Sequence, residues 1–450
     1  MLMGVPLWSQ VDNTTAPPAQ AATTVTTDDS DTRMQAPPPV SGQAYPVALT
    51  SQERSNYLRG GVVFTSAYSD NVLGSVAGQP VSDVSYSVAP TLALDTTTPR
   101  EHLVLTYAPG YTFYQRTSGR NEADQNALID FQYRLSAHVT FSASDSFRKS
   151  SSVFNQPGFT STGGISGGAQ GANFSVIAPI ADSLSNSGNV GLTYQFSLND
   201  MIGASGTFSN LHYPDPAQVP GLFDSSSQAG LAFYSHRISK THYLGVTYEY
   251  QRLLAYPTVG RNETQTHAAF LFYTVYPTKG FSFSLFGGPQ RSDTVQPPPL
   301  LPVGQWKPAG GASLNWQGHL NSFALSYVHI VSGGGGLIGA VQMDSATASV
   351  RQQFTRFLSG SIAGGYAQNN VLGGPFASTT GGGSFTVFTK GHSISGTASL
   401  QQQFGQHVAL QLGYTRLHQD YSNVAVLALT PDTNREFVSL SYQFSRALGR

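Results

Sequence analysis

Apolar and polar residues alternate along most of the chain. Stretches of ten or more residues place an apolar side chain at every second position, and the clearest begin near Val84, Leu103, Ile129, Val190, Leu244 and Val408. A period of two is typical of a β-strand with one apolar face. No stretch of comparable length in the sequence shows the i, i+3, i+4 spacing of an amphipathic helix. The pattern therefore predicts an all-β chain.

Short links divide the predicted strands into pairs. They fall at about Thr97, Ser136, Asn199, Ser239, Thr278, Gln317, Thr355 and Gly405. Successive links are about 39 residues apart, with two longer intervals of about 63 and 50 residues. Each unit then holds two strands of roughly 11 residues, the length of a tilted strand that crosses a bilayer.

Longer connections alternate with the short ones. We predict them at Asn71–Ser82, Arg116–Asp124, Ser150–Gly188, His212–Ser227, Ser292–Gln305, Ser332–Val341, Gln368–Gly391 and His418–Asn434. Short turns on one side and long loops on the other are typical of an antiparallel up-and-down transmembrane barrel, in which the short turns are periplasmic and the long loops extracellular. The turns predict about 18 strands in a single barrel over residues 57–444, with both termini in the periplasm.

Composition supports this interpretation. Charged residues make up 10% of the chain, against roughly 25% in an average soluble protein. Mean hydropathy is -0.15, and no window approaches the ~18 consecutive apolar residues of a membrane-spanning helix. The 47 Gly, 22 Tyr and 26 Phe suit strands that show lipid only one face, so that half of their residues stay polar.

Charge and cysteine content exclude several functions. The net charge of -1 indicates no nucleic-acid partner, which would require a basic surface. The absence of cysteine from the sequence excludes disulfides, thiolate catalysis and cysteine-based metal sites. It also suits export through the oxidising periplasm.

The two ends are expected to lie outside the barrel. Residues 1–10 contain a short apolar stretch, Met1–Trp8, which is either the remnant of a signal peptide or an ordinary disordered N-terminus. Residues 11–56 are rich in Pro, Thr and Ala and predict a disordered periplasmic tail. This tail is too short to be a plug domain of the kind that fills large transporter barrels.

The final stretch, Phe437–Phe444, is similar to the terminal strand of bacterial outer-membrane barrels. Val438, Leu440, Tyr442 and Phe444 form its alternating apolar face and closing aromatic. In that family the barrel-assembly machinery reads this face, so the resemblance implies outer-membrane localisation, contact with outer-membrane lipid and assembly by that machinery. Residues 445–450 depart from the family pattern as a C-terminal tail. From Leu58 to Phe444 the chain resembles the porin-like outer-membrane barrels.

Other all-β folds fit less well. A period of about 39 residues is also that of β-propeller blades, but a blade holds four short strands and repeats signature residues that this chain lacks. A β-solenoid would need shorter rungs.

The sequence predicts neither an enzyme nor a cofactor or metal site. His102, His138, His242, His319, His392 and His407 fall close to the short turns, where we expect polar aromatic rings at the membrane interface. None of the histidines forms an i, i+4 pair. A hydrolase-like Ser/His arrangement stays open, although the sequence has no Gly-x-Ser-x-Gly motif on a strand-to-helix turn. The Gly-rich runs lack the Lys-Ser/Thr of a phosphate-binding loop and indicate flexible loops.

The lumen is the expected functional surface. If the apolar residues face lipid, the opposite positions line the interior, among them Asp130, Arg134, Arg148 and Glu249. This face is polar, hydroxyl-rich and sparsely charged, which predicts a wet pore with little ionic preference. The four charged residues are either solute-facing or paired with one another.

The connection at 150–188 is predicted to narrow the pore. Phe174, Val176, Ile177 and Pro179 make it unusually apolar for a segment in water. The alternative is packing against neighbouring extracellular loops.

The sequence thus predicts a porin-like channel for the passive passage of small hydrophilic solutes. Two alternatives stay open: a non-conducting surface or structural barrel, and a polysaccharide-export barrel. The identity of the solutes and the association of barrels into homo-oligomers are not specified by the sequence.

Overall fold

The computed structural model describes most of the region between Asn56 and Ala447, and one residue before it. The described residues are 34, 56–72, 80–150, 152, 181–215, 222–257, 260–278, 280–295, 301–335, 338–372, 390–421 and 432–447. They form 18 strands and one short 3-10 helix, Ser118–Arg120. Within these ranges no helix is long and apolar enough to cross a membrane.

The strands follow one another along the chain. They are β1 (Tyr57–Ser69), β2 (Asp83–Thr97), β3 (Glu101–Tyr114), β4 (Glu122–Arg134), β5 (Val139–Ser150), β6 (Ser183–Gln195), β7 (Asp200–His212), β8 (Asp224–Ser239), β9 (His242–Tyr256), β10 (Asn262–Thr278), β11 (Phe281–Val295), β12 (Val303–Gln317), β13 (Asn321–Gly334), β14 (Ile338–Gln353), β15 (Leu358–Val371), β16 (Lys390–Phe404), β17 (Val408–Tyr421) and β18 (Asp432–Ala447).

Each strand pairs antiparallel with its neighbours in sequence, and β1 also pairs with β18. The sheet therefore closes on itself and has no free edge, as a barrel in lipid requires. The predicted all-β, 18-strand barrel is confirmed, and every predicted short turn separates two paired strands. The strands are longer than predicted, from 12 residues in β5 to 17 in β10.

Large apolar side chains alternate onto the outer surface. On β18, Val438, Leu440, Tyr442 and Phe444 are 46% to 49% exposed, while the residues between them point inward. The predicted terminal-strand face is thus an outward, lipid-directed face. The strand extends beyond the predicted limits, because residues 445–447 still pair with β1.

Glycine and aromatic residues sit directly opposite each other on neighbouring strands. The pairs are Gly60–Phe444, Gly203–Phe233, Gly245–Phe272, Gly311–Phe286, Gly391–Tyr421 and Gly413–Phe437. In each pair a Cβ on the glycine would overlap the aromatic ring. The ring covers the glycine backbone, a known device for stabilising glycine in sheets. The Gly60–Phe444 pair lies at the seam where the barrel closes.

Polar clusters lie on the outer surface near the strand ends. Asp344 accepts hydrogen bonds from the Tyr327 hydroxyl (2.8 Å) and from His329 Nδ1 (2.6 Å). Asp200, at the opposite end of the barrel, is bonded in the same way to Tyr234 (2.6 Å) and His236 (2.8 Å). Such groups suit the headgroup level of a bilayer, where amphipathic rings are favoured.

Candidate functional site

The lumen is lined by the residues that alternate with the outward apolar residues along each strand. Because successive side chains point to opposite faces, the inward set of each strand is determined by its outward set. On β2, β4, β5 and β6 the inward side chains remain partly accessible, apart from those at the ends opposite the short turns. Most of these side chains are hydroxyls, amides or charged groups, so this wall is polar and wet.

The predicted charged residues are all on the lumen side but do not form one site. Asp130 and Arg134 lie on β4, and Arg148 lies on the adjacent strand β5, where its Nε donates to Asn126 Oδ1 at 3.2 Å. Glu249 lies on β9, between the buried inward residues Thr247 and Gln251 and five strands from β4. The first three therefore share one stretch of wall, and Glu249 belongs to another.

His102 is also in the lumen, which corrects its predicted place at the membrane interface. Its side chain is nearly buried, and Nε2 lies 3.4 Å from Asp95 Oδ1. His102 pairs with Gln132, so Asp130 lies diagonally across from it on the same face. The position of His102 near a turn could not predict this, because distance from a turn does not determine which face a side chain is on. The face depends on whether the residue occupies an odd or an even position along the strand. By contrast, His392 does lie on the outer surface, with its ring against His418. It is not close to a short turn as predicted, because it lies at the start of β16 and the turn follows Phe404 at the other end of that strand.

The mouth opposite the short turns carries two further acidic groups that were not predicted. The Asp83 carboxylate accepts from the backbone N–H groups of Val84, Arg116 and Thr117 and from the Thr117 hydroxyl, at 2.7 to 3.1 Å. It thereby fixes the connection between β3 and β4. Asp124 of β4, 4% exposed, lies close enough to Arg435 of β18 to interact electrostatically.

The wall formed by β10 to β14 is packed rather than open. Every inward residue of β10 from Asn262 to Thr274 is buried. An apolar cluster continues along this side and contains Ala268, Phe270, Phe272, Phe286, Ala309, Val328, Ile330, Val341, Met343 and Tyr421. The rings of Phe270 and Phe286 meet edge to face, with centroids 5.3 Å apart.

The end of the β13–β14 hairpin lies inside the barrel. Residues 330–335 and 339–343 are all buried, so the alternation of exposed and buried positions is lost on both strands. Leu253 of β9 packs against Val331 and Ala340 of the hairpin, although β9 and β13 are four strands apart. A hairpin with both faces covered, in contact with a distant strand, extends into the lumen.

A hydrogen bond ties the hairpin to another part of the mouth. The Tyr213 hydroxyl, just after β7, donates to the Gly335 carbonyl at 2.7 Å. Gly335 has φ of 66°, a conformation that favours glycine. Burial raises the pKa of the Tyr213 hydroxyl above its usual value, with a smaller contribution from Asp224, so this donor stays protonated.

The prediction of a long loop at Ser332–Val341 is therefore wrong. Strand β13 continues to Gly334 and β14 begins at Ile338. The run of glycines indicated a flexible loop, whereas Gly333 and Gly334 belong to β13 and Gly335 follows them with a positive φ. The connection that was predicted to narrow the pore, 150–188, is shorter than predicted, because β6 begins at Ser183. Its candidate residues Phe174, Val176, Ile177 and Pro179 lie outside the described residues.

Among the described residues, no group of three His, Cys, Asp or Glu side chains is placed to hold a metal ion. The described lumen therefore has a polar, accessible wall on β2, β4, β5 and β6, a packed wall on β10 to β14, and the inward β13–β14 hairpin.

No protein-family model matches the chain, and no curated protein matches it. Solved structures similar to the barrel include OccAB4 of Acinetobacter baumannii, with a TM-score of 0.42 and 10% identity over 87% of this chain and 99% of that one. OpdK of Pseudomonas aeruginosa has a TM-score of 0.40 and 9% identity over 86% and 99%. The FrpB iron transporter of Neisseria meningitidis has a TM-score of 0.41 and 10% identity over 87% and 82%.

The closed barrel, its apolar outer surface and its polar lumen define a transmembrane β-barrel of the outer-membrane type. Its strands are joined by short turns at one end of the barrel.

Proposed function

We propose that the protein is an outer-membrane channel for passive passage of small hydrophilic solutes. A barrel of 18 strands is wide enough for an aqueous pore. The observation that carries the proposal is the division of the lumen, in which a polar, accessible wall on β2, β4, β5 and β6 faces a packed wall and an inward hairpin. Water and solute then follow the polar wall.

The charges on that wall are of both signs. Asp130, Arg134 and Arg148 lie on neighbouring strands, with the His102–Asp95 pair beside them. Ion-selective pores use rings of like charge. A mixed wall supports small or neutral hydroxylated solutes and a weak ionic preference.

The inward hairpin favours small solutes over an exported polysaccharide. Leu253, Val331 and Ala340 meet within the mouth and reduce the width available to a polymer chain. A non-conducting surface barrel shares the fold and differs in being closed to solutes of every size.

Swelling of proteoliposomes in neutral sugars of graded size tests the proposal. We expect swelling with small sugars and a sharp decline with larger ones. Leu253→Ala, which loosens the hairpin contact, should admit larger sugars. Leu192→Ala is the matched control, because Leu192 faces outward and is 46% exposed. Absence of swelling from both the natural chain and Leu253→Ala would favour the non-conducting barrel.

Narrowing by the connection between β5 and β6 is a separate part of the proposal. Deletion of residues 163–177 leaves both strands intact, since β5 ends at Ser150 and β6 begins at Ser183. A larger sugar cut-off after deletion is expected if this segment narrows the pore. An unchanged sugar cut-off would show that this segment does not narrow the pore and that only the β13–β14 hairpin does.

A further inference from the structure

Met34 lies far from the rest of the described chain in sequence but inside the barrel in space. It is 9% exposed and contacts Met201 and Tyr243, with Phe233 and Tyr276 packed around them. Its backbone N–H donates to Gln195 Oε1 at 3.3 Å. Both the side chain and the backbone of Met34 are thus held by the barrel.

The residues around Met34 form a pocket in the lumen wall at the short-turn end. Met201 and Tyr243 are the second residues of β7 and β9, and they are 4% and 5% exposed. Tyr276 lies near the end of β10, and its ring meets that of Tyr243 edge to face at 5.8 Å. All of these side chains occupy inward positions of neighbouring strands, so the pocket opens into the periplasmic mouth and not onto the lipid.

The chemistry of the pocket suits the side chain in it. A methionine thioether is unbranched and polarisable, and it makes favourable contacts with aromatic rings. The Gln195 amide at the rim supplies an acceptor for a peptide N–H, which an extended segment presents and a free apolar solute does not. The pocket therefore recognises a peptide segment with a long apolar side chain.

We infer that this pocket is a binding site for the chain's own N-terminal segment, which is seated in the periplasmic mouth through Met34. The 22 residues between Met34 and Tyr57 span roughly 70 Å when fully extended, so the segment reaches β7 to β10 from the start of β1 without strain. Met34 thereby occupies part of the mouth. This site is independent of whether the barrel conducts.

Cross-linking tests directly whether Met34 occupies this pocket, because the natural chain has no cysteine that would react in its place. The double variant Met34→Cys/Met201→Cys, folded in membranes and treated with a short bis-maleimide, should give an intramolecular cross-link. The matched control is Met34→Cys/Ile202→Cys, since Ile202 is the next residue on β7 but faces outward and is 44% exposed. A cross-link in the first variant alone supports the seat. No cross-link in the first, or equal cross-linking in both, overturns it.

Thiol labelling provides a second measurement. A water-soluble maleimide should react with Met201→Cys several-fold faster after Met34→Asp is added, because a carboxylate is disfavoured among the tyrosines and phenylalanine. Labelling of Met343→Cys should stay unchanged, because Met343 lies near the start of β14, at the end of the barrel opposite the pocket. Equal labelling of Met201→Cys with and without Met34→Asp contradicts the seat. Neither readout depends on conduction, so a silent barrel with a strong cross-link would overturn the proposed channel and leave this inference standing.

Discussion

Individual residues in this barrel are constrained by what lies directly across the strand. Gly245 is an example: it faces Phe272 of β10, and its backbone also lies close to the Tyr234 carbonyl of β8. The sequence shows many glycines and phenylalanines, but only the strand register shows that they form pairs. Register follows from the pairing of all the strands, so these pairs could not be predicted from local pattern alone.

Replacing Gly245 with Val should destabilise the barrel. The added carbons would overlap both the Phe272 ring and the Tyr234 carbonyl, and overpacking of this kind costs typically 1–3 kcal/mol. The measurement is the urea midpoint of unfolding in detergent, followed by the loss of the compact band on unheated gels. Gly230→Val is the control, because a Cβ at Gly230 meets no atom within 4 Å. Equal midpoints for the two variants would show that the close approach at Gly245 has no energetic weight.

The charged residues of the lumen wall are expected to influence ion selectivity. Arg134→Gln with Arg148→Gln removes two positive charges from the lumen, so the ratio of cation to anion permeability should rise. Asp130→Asn should lower that ratio. The measurement is the reversal potential across a KCl gradient, with Arg416→Gln as control because Arg416 lies on the outer surface with its side chain 58% exposed. If Arg416→Gln shifts the reversal potential as much as the two lumen substitutions do, the charges on this wall do not determine the ion selectivity.

At the scale of elements, the strands and short turns could be predicted because they depend on local sequence. Alternation specifies a strand, and a break in alternation marks its end. The β13–β14 hairpin could not be predicted in the same way. Its glycines are equally compatible with a loop in water, and its inward position depends on Leu253 of β9 and on Tyr213 after β7, which are distant in sequence.

Tyr213→Phe should release the hairpin. The Gly335 carbonyl would lose its donor, which for a buried group costs about 1–3 kcal/mol. We expect larger current fluctuations in planar bilayers, with Tyr366→Phe on the outer surface as control. Absence of any change would show that the bond does not hold the hairpin.

The same bond predicts how the pore responds to alkaline pH. An ordinary tyrosine ionises near pH 10 and then ceases to donate. Burial raises the pKa of Tyr213, so its neutral, donating form persists as the pH rises through that value. Current fluctuations of the natural chain should therefore stay constant from pH 7 to pH 10. A rise in fluctuations near pH 9 would indicate an exposed, readily ionised hydroxyl.

At the scale of the whole molecule, closure of β1 on β18 makes the barrel, and uneven packing gives it a one-sided lumen. Alternation and turn spacing predicted the number of strands and the inward placement of Asp130, Arg134, Arg148 and Glu249. They could not predict that one side of the lumen is packed and the other open, because this difference arises from contacts between strands four or five positions apart. The seat of Met34 is a contact of the same long-range kind.

Single-channel recording in planar bilayers measures directly whether the barrel conducts and whether the inward hairpin limits its conductance. The natural chain should give stepwise openings of small conductance. A variant in which residues 333–339 are replaced by Asn-Gly, which shortens the inward hairpin, should give larger steps of the same weak ion selectivity. Silence from both proteins, in preparations that show the folded barrel, would contradict the proposed channel.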